Sequence, residues 1–230
     1  MRAATKGSGR GPWGHGRRRR LSHMARATAR ADRLVEQLRP HIRDERVLAA
    51  IATVPRSLFV PRRLIASAWE NTALPIGAGQ TISQPVVVAR MCELLELQGD
   101  ERVLDVGTGS GYHAAVLAQL AAEVWSIERE PQLSHGAAQA LETAGVHDVH
   151  LLTGDGSRGH PAAAPYDAIN VAAAARGEPP AALEEQLAEG GRLVAPVDGS
   201  DQRLMLVRRT GDEVVRTWHE PVRFVPLVEG

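Results

Sequence analysis

The sequence contains a single cysteine, Cys92, among 230 residues. A disulfide framework and a metal site built only from cysteines are therefore excluded. No apolar run reaches the roughly 18 residues that a membrane-spanning helix needs. No apolar stretch follows the arginine run at residues 17–20, so the secretory-signal pattern is missing. These absences predict a cytoplasmic protein without a membrane partner.

Acidic residues are missing from residues 1–30, which carry nine basic residues. The rest of the chain holds 18 basic against 27 acidic residues, a net charge of −9. An acidic body does not favour nucleic-acid binding, although a basic arm remains an alternative. Residues 1–23 are rich in Gly and Arg and lack apolar periodicity. We expect this segment to be a disordered basic tail or the product of a misassigned start, with Met24 as the first residue.

The whole chain has the ordinary composition of a globular protein, 43% hydrophobic and 23% charged. Apolar spacing predicts helices within residues 30–70 and over Pro85–Leu97, with a loop over residues 71–85. Further helices are predicted over residues 112–121, 131–144 and 179–188. Alternating apolar residues predict strands at Arg102–Val106, Glu123–Ile127, Val149–Thr153, Ala168–Val171, Arg192–Val197 and Arg203–Arg208.

Strands separated by helices in this way predict an α/β fold with a doubly wound, mostly parallel, Rossmann-like sheet and N-terminal helices. We expect one domain over residues 24–230. Its N-terminal helical part would span residues 24–75, and its α/β core would span residues 76–230.

A cluster of glycines follows the first predicted strand directly, as Gly107-Thr108-Gly109-Ser110-Gly111. Glycines at the end of a strand allow a tight turn and a close approach of the backbone to a ligand. The G-x-G-x-G spacing differs from the dinucleotide fingerprint and from the P-loop, and it is not a nucleophile elbow. Taken alone, the motif is also compatible with a purely structural turn.

Acidic residues end the next two predicted strands. Glu128 could accept hydrogen bonds from both hydroxyls of a ribose, and Asp155 could accept one from an adenine amino group. Gly156 would leave room for the adenine ring. Taken alone, Glu128 is also compatible with a solvated charge, and Asp155-Gly156 with an ordinary turn. Because all three features end successive strands, together they predict a nucleoside site at the carboxyl edge of the sheet.

The glycine loop, Glu128 and the Gly154-Asp155-Gly156 stretch resemble the S-adenosylmethionine site of class I methyltransferases. Further fragments resemble one branch, the protein-L-isoaspartate (D-aspartate) O-methyltransferase family. These fragments are Val54-Pro55-Arg56, Phe59-Val60-Pro61, Leu74-Pro75-Ile76-Gly77, Gly79-Gln80-Thr81-Ile82-Ser83-Gln84-Pro85, Pro165-Tyr166-Asp167-Ala168-Ile169, Gly190-Gly191-Arg192-Leu193 and Val222-Arg223-Phe224-Val225-Pro226-Leu227. They occur in the family's order and cover about residues 32–228.

The resemblance implies methyl transfer from S-adenosylmethionine to the α-carboxylate of L-isoaspartyl residues in damaged proteins. The methyl ester then recloses to a succinimide, which begins repair. The family's catalytic serine corresponds to Ser83, and the substrate-binding positions correspond to Gln80, Thr81, Ile82 and Val225. The cofactor-binding positions correspond to Asp105, Gly107, Thr108, Gly109, Ser110, Gly111, Glu128, Asp155 and Gly156. A carboxylate acceptor is already ionised at neutral pH, so no general base and no metal is expected. The family also implies a monomer.

Three positions depart from the family's pattern: Ala78, Asn170 and Ala172. None is assigned to methyl transfer, but they leave an alternative substrate open. The enzyme could be dedicated to one precursor peptide of a natural-product pathway, methylating an Asp to form an aspartimide. For His113, just after the glycine loop, we expect packing on the helix surface, with contact to the cofactor as the alternative. For Cys92 we expect a buried, inert position.

Overall fold

The computed structural model describes residues 29–211 and 213–230. The expectations for residues 1–23 and for Met24 lie outside these residues. The helices are α1 (residues 29–38), α2 (Glu45–Thr53), α3 (Pro85–Leu95), α4 (Tyr112–Leu117), α5 (Pro131–Ala144) and α6 (Ala181–Glu184). The strands are β1 (Leu74–Gly77), β2 (Gln80–Ile82), β3 (Arg102–Val106), β4 (Glu123–Glu128), β5 (Val149–Thr153), β6 (Tyr166–Val171), β7 (Ala175–Arg176), β8 (Leu187–Asp198), β9 (Arg203–Thr210) and β10 (Glu213–Pro221).

The large sheet has the strand order β10-β9-β8-β6-β3-β4-β5, with β7 beside β8. The pairs from β5 across to β8 are parallel, whereas β9 and β10 add an antiparallel edge. The chain passes from β3 to β4 and β5 on one side and returns to β6 on the other. The strand order therefore reverses between β3 and β6, which is where open α/β sheets bind ligands. The predicted doubly wound, mostly parallel fold is confirmed.

The core covers both faces of the sheet. On β3, Val103 packs with the N-terminal helices, including Leu48 of α2 and Met91 of α3. The next residue, Leu104, points to the opposite cluster, which contains Leu183 of α6. Burial on both faces explains why the central strands are nearly continuous apolar runs. The N-terminal helices thus share a core with the sheet. The predicted division between residues 75 and 76 falls inside β1, which spans Leu74–Gly77.

The predicted loop over residues 71–85 contains an antiparallel hairpin, so that prediction was wrong. Strands β1 and β2 pair Leu74 with Ile82. Their two-residue turn has positive φ at both positions, +49° at Ala78 and +71° at Gly79. Such turns match the twist of a hairpin, and glycine or asparagine is their usual signal. Alanine at the first turn position hid this signal in the sequence.

Other boundaries also moved. Helix α6 covers only Ala181–Glu184 of the predicted 179–188 because Leu187 already pairs with Tyr166 in the sheet. Helix α4 ends at Leu117 rather than at residue 121, and α3 ends at Leu95. Strand β10 was not predicted. Among the described residues, no helix has the length and apolar character needed to cross a membrane.

Candidate active site

The glycine loop lies at the carboxyl end of β3, beside the reversal of strand order. Gly107, Gly109 and Gly111 have φ values of +95°, +55° and +87°, a region that side chains rarely enter. The backbone N–H of Gly107 donates to the carbonyl of Ile127 at 2.9 Å, which ties the loop to the end of β4. Helix α4 begins directly after Gly111. The loop therefore exposes bare backbone at the edge of the sheet, as the motif predicts.

Glu128 ends β4 next to this loop and is only 6% exposed. Its Oε2 atom accepts a hydrogen bond from the Gly109 N–H at 2.8 Å. Its Oε1 atom accepts one from the Glu130 N–H at 2.9 Å. A carboxylate has about four lone-pair sites, so Glu128 can accept two further hydrogen bonds from a ligand in the cleft it lines.

Asp155 and Gly156 end β5, but only Gly156 lines the cleft. Asp155 Oδ1 accepts hydrogen bonds from the backbone N–H and the hydroxyl of Ser157, and its Oδ2 accepts one from the Gly230 N–H at 3.1 Å. The Ser157 hydroxyl lowers the pKa of Asp155. At Gly156, a Cβ atom would lie 2.6 Å from Val106 Cγ1. Glycine is therefore required here by packing within the protein.

Asp105 lies beneath the glycine loop, with no solvent exposure and no contact with the cleft. Its Oδ2 accepts from the Ser126 hydroxyl at 2.7 Å, and Ser126 in turn lies 2.6 Å from the Thr108 hydroxyl. Its Oδ1 accepts from Asn170 Nδ2 at 2.7 Å. Burial raises the pKa of Asp105, and both hydrogen bonds oppose that rise. We expected Asp105 to contact a cofactor, but it lies outside the cleft. Its carboxyl group instead supports the glycine loop from below, through Ser126 and Thr108.

The same buried network extends to His113. Asn170 Nδ2 is 3.2 Å from His113 Nδ1, and Cys92 Sγ is 3.5 Å from His113 Nε2. The expected position of Cys92 in the core is confirmed. His113, which was expected to pack on the helix, belongs to this buried network. His113 is 7% exposed and borders the cleft. Burial lowers the pKa of His113 to about 3, so its imidazole is neutral at neutral pH.

The β1–β2 hairpin forms the opposite wall of the cleft. Ile76 reaches the glycine loop, since a Cβ at Gly109 would lie 3.4 Å from Ile76 Cδ1. Ser83 follows β2 directly and precedes Gln84, the N-cap residue of α3. The positive end of that helix dipole lies behind Ser83. An anionic group is therefore favoured beside the Ser83 hydroxyl.

The C-terminal segment closes a third side. The Val225 carbonyl accepts a hydrogen bond from the Ala174 N–H at 2.8 Å, and the Leu227 N–H donates to the Ala174 carbonyl at 2.7 Å. Arg129 Nη1 also donates to the carbonyl of Val228 at 3.0 Å. These contacts hold residues 225–228 across the carboxyl edge of the sheet, with Val225 in the lining of the cleft.

Together these elements enclose a cleft of about 930 Å³. It brings together most of the predicted site residues, namely Gln80, Thr81, Ile82, Ser83, Gly107, Thr108, Gly109, Ser110, Glu128, Gly156 and Val225. Asp105, Gly111 and Asp155 do not line it. Within the described ranges, no group of three or more His, Cys, Asp or Glu residues could hold a metal ion.

Sequence reasoning missed some of the residues that shape this site. The Val54-Pro55-Arg56 fragment indicates no role for Arg56, yet this side chain donates to the Ser83 carbonyl. His113 and Asn170 were not expected to share a buried network. A polar residue in the apolar part of a strand, such as Asn170 between Ile169 and Val171 in β6, was the available signal, because a buried polar group needs a partner.

Comparisons with known proteins agree with this arrangement. The model of the family described as protein-L-isoaspartate(D-aspartate) O-methyltransferase matches residues 29–230. A protein-L-isoaspartate O-methyltransferase of Aeromonas hydrophila is 53% identical over 199 residues, covering 86% of this chain and 97% of that protein. One of Azoarcus sp. (strain BH72) is 51% identical over 216 residues, covering 93% and 98%.

A solved structure named protein-L-isoaspartate O-methyltransferase superposes with a TM-score of 0.78 at 27% identity. The match covers 87% of this chain and 66% of that longer one. The family match spans nearly all described residues, and the two curated relatives match over almost their full length. The chain therefore belongs to the protein-L-isoaspartate(D-aspartate) O-methyltransferase family.

Proposed function

We propose that this protein transfers a methyl group from S-adenosylmethionine to the α-carboxylate of L-isoaspartyl residues in damaged proteins and peptides. The ester would then reclose to a succinimide, which hydrolyses partly to normal aspartate. The observation that carries the proposal is that Ser83 lines the same cleft as the glycine loop and Glu128. The proposed acceptor and cofactor positions thus line one cleft in a chain of this family.

The cleft suits S-adenosylmethionine on the evidence of its walls. The glycine loop offers bare backbone, and Glu128 keeps lone pairs free for ribose hydroxyls. Gly156, with Val106 and Ile127 behind it, offers a flat apolar surface for an adenine ring. Asp155 lies beside Gly156 but outside the lining of the cleft, and both of its oxygens already accept hydrogen bonds from the chain; its contact with an adenine amino group stays a prediction. When bound, S-adenosylmethionine supplies a methyl group attached to a sulfonium. After the transfer the sulfur departs as a neutral thioether, so the leaving group needs no proton.

The residues of the chain have a positioning task. An acceptor carboxylate with a pKa near ~4 is ionised at neutral pH, so no side chain has to remove a proton. Ser83 would donate its hydroxyl hydrogen to this carboxylate and turn one oxygen toward the cofactor side. Gln80, Thr81, Ile82 and Val225 would hold the peptide. Alignment of this kind is worth effective molarities of ~10⁵–10⁸ M in well-oriented reactions.

Two neighbouring features support the same reaction. His113 remains neutral at neutral pH, so it adds no positive charge where a sulfonium would bind. The hairpin and residues 225–228 wall the cleft on two sides, which would reduce the access of water once substrate is bound. Bringing a carboxylate and a sulfonium together removes charge, and a low-dielectric site favours that change.

The test uses labelled S-adenosylmethionine and two matched peptides, one with L-isoaspartate and one with normal aspartate. We expect base-labile methyl ester on the isoaspartyl peptide alone. Loss of the Ser83 hydroxyl in Ser83→Ala should lower kcat about 10- to 100-fold, the equivalent of one charge-assisted hydrogen bond. The affinity for S-adenosylmethionine should stay within about threefold of that of the original protein.

Ser67→Ala is the matched control, because Ser67 is a half-buried serine outside the cleft. Wild-type turnover by Ser83→Ala would contradict the catalytic assignment. Cofactor binding without ester on any member of an isoaspartyl peptide panel would contradict general repair. That result would instead favour the dedicated peptide substrate.

The proposal includes a monomeric, cytoplasmic enzyme that does not bind nucleic acid. The net charge of −9 over residues 31–230 supports the last point, since phosphate backbones require basic surfaces. Light scattering of the purified chain tests the monomer. Salt-dependent binding to DNA or RNA that disappears when residues 1–23 are deleted would contradict the absence of a nucleic-acid partner.

A further inference from the structure

Arg56 is a charged side chain with no solvent exposure. No ion pair among the described residues includes it. Burial lowers the pKa of Arg56, and no carboxylate opposes that effect. A desolvated cation without a counter-ion is costly unless hydrogen bonds replace its water. What its guanidinium contacts therefore indicates what it does.

Four backbone carbonyls surround this guanidinium. Nη1 donates to Ala68 at 2.8 Å and to Glu70 at 3.4 Å. Nη2 donates to Thr72 at 2.9 Å and to Ser83 at 3.1 Å. Three of these carbonyls belong to the turn over residues 68–72, and the fourth belongs to the proposed catalytic serine. Arg56 thus fastens Ser83 to a segment eleven or more residues earlier in the chain.

The same turn holds the residues that follow Ser83. Gln84 Nε2 donates to the Asn71 carbonyl at 3.0 Å. The Val86 N–H donates to Asn71 Oδ1, also at 3.0 Å. Asn71 therefore holds the segment on the C-terminal side of Ser83 twice, through the Gln84 side chain and through the Val86 backbone. The Ser83 carbonyl itself depends on Arg56.

The other side of Arg56 faces the cofactor half of the cleft. Its Cζ atom lies 5.7 Å from the centre of the Tyr112 ring, within the range of a cation–π contact. Tyr112 follows Gly111 directly and is packed edge-on against Phe59, with ring centres 5.7 Å apart. One planar cation therefore touches the segment that carries Ser83 and the first residue after the glycine loop.

We propose that Arg56 is a positioning residue for methyl transfer, which aligns Ser83 with the glycine loop by donating to the Ser83 carbonyl while its guanidinium contacts the Tyr112 ring. This inference rests on the proposed function, since Ser83 must act on the acceptor. Each terminal nitrogen of the planar guanidinium donates to two carbonyls. The compact ammonium group of lysine does not reproduce this arrangement. A displacement of about 1 Å in a reacting pair costs about 100-fold in rate.

The first experiment compares the full chain with Arg56→Lys. We expect kcat for an L-isoaspartyl peptide to fall about 10- to 100-fold. The dissociation constant of S-adenosylmethionine, measured by calorimetry, should change less than about threefold. Arg46→Lys is the matched control, because Arg46 Nη1 also donates to a backbone carbonyl, that of Leu97 at 2.6 Å, away from the cleft. This control should keep its kcat.

A double-mutant cycle separates positioning from general structure. If Arg56 acts through Ser83, then Arg56→Lys should cost less than about threefold in the Ser83→Ala background. An equal loss in both backgrounds, or an unchanged kcat in Arg56→Lys alone, would overturn the inference. Turnover by the unsubstituted chain keeps the proposed function intact in either case. Absence of turnover by the unsubstituted chain overturns both.

A second variant serves if Arg56→Lys does not fold. Replacing Gln84 with its α-hydroxy analogue converts the Ser83–Gln84 amide into an ester and keeps every side chain. The ester carbonyl is a weaker acceptor for the Arg56 guanidinium. We expect kcat to fall about threefold or more in the original background and to stay unchanged in Ser83→Ala. An ester variant with full kcat would refute the role of this contact.

Discussion

Acidification should destabilise the protein through His113. The imidazole is enclosed by Asn170 on its Nδ1 side and by Cys92 on its Nε2 side. Asn170 in turn donates to Asp105. Burial lowers the pKa of His113 to about 3, whereas an unfolded histidine titrates near ~6.5. Between these two values the unfolded chain binds a proton that the folded chain does not.

The sign and size of the effect follow from this difference. Because the unfolded state binds more protons, the free energy of unfolding falls as the pH falls from about 6.5 toward about 3. Integration from pH 7 to pH 5 gives a loss of about 2 kcal/mol from His113 alone. Asp105 acts in the opposite direction, since burial raises its pKa and acid then favours its folded state.

Urea unfolding at pH 7, 6 and 5 measures the effect. The free energy of unfolding of His113→Gln should fall about 2 kcal/mol less over this range than that of the original chain. The comparison isolates His113, because glutamine keeps a polar side chain without titrating. His147→Gln, which removes an exposed imidazole, controls for the change in composition. Parallel curves for the original chain and His113→Gln would refute the reasoning.

Two further predictions concern the cofactor side of the cleft. Glu128→Gln should weaken S-adenosylmethionine binding about 10- to 100-fold. The substitution removes the negative charge that accepts from the Gly109 N–H and that would accept from the ribose. Unchanged affinity in calorimetry would contradict the ribose assignment. Gly156→Ala should lower stability by about 1–3 kcal/mol, because its Cβ would lie 2.6 Å from Val106 Cγ1. Gly154→Ala, where nothing lies within 4 Å, is the control, and a thermal scan with equal midpoints for both variants would refute the packing argument.

Much of the cofactor half was predictable because it depends on local signals. Strand β3 lies at Arg102–Val106 as predicted, since its apolar run and the following glycines are contiguous in the chain. Glu128 and Gly156 were placed by their positions at strand ends. Parallel strands bring their carboxyl ends to one edge, so register along the chain was enough to predict proximity in space.

The acceptor half depended more on tertiary contacts. The β1–β2 hairpin contains Ala78 at φ +49°, a conformation that alanine seldom adopts and that the paired strands impose. The exposed strand β10 has no fully buried position to reveal its period. Both lie in hairpins with the adjacent strand, but the first lacks the turn signal and the second the burial signal that marks a hairpin in the sequence. The position of Ser83 itself depends on Arg56, which lies 27 residues earlier in the chain.

The doubly wound sheet, the glycine loop and the family resemblance could be predicted from the sequence alone, because apolar periodicity and strand-end motifs are local. The positions and contacts of the polar side chains, in contrast, depend on the tertiary structure. Asp105 belongs to a buried network below the loop rather than to the cleft, and His113 is neutral because it is enclosed. Arg56 acquires its role from carbonyls that lie 12 to 27 residues away. Burial and long-range hydrogen bonds set these properties, and both exist only after the chain has folded.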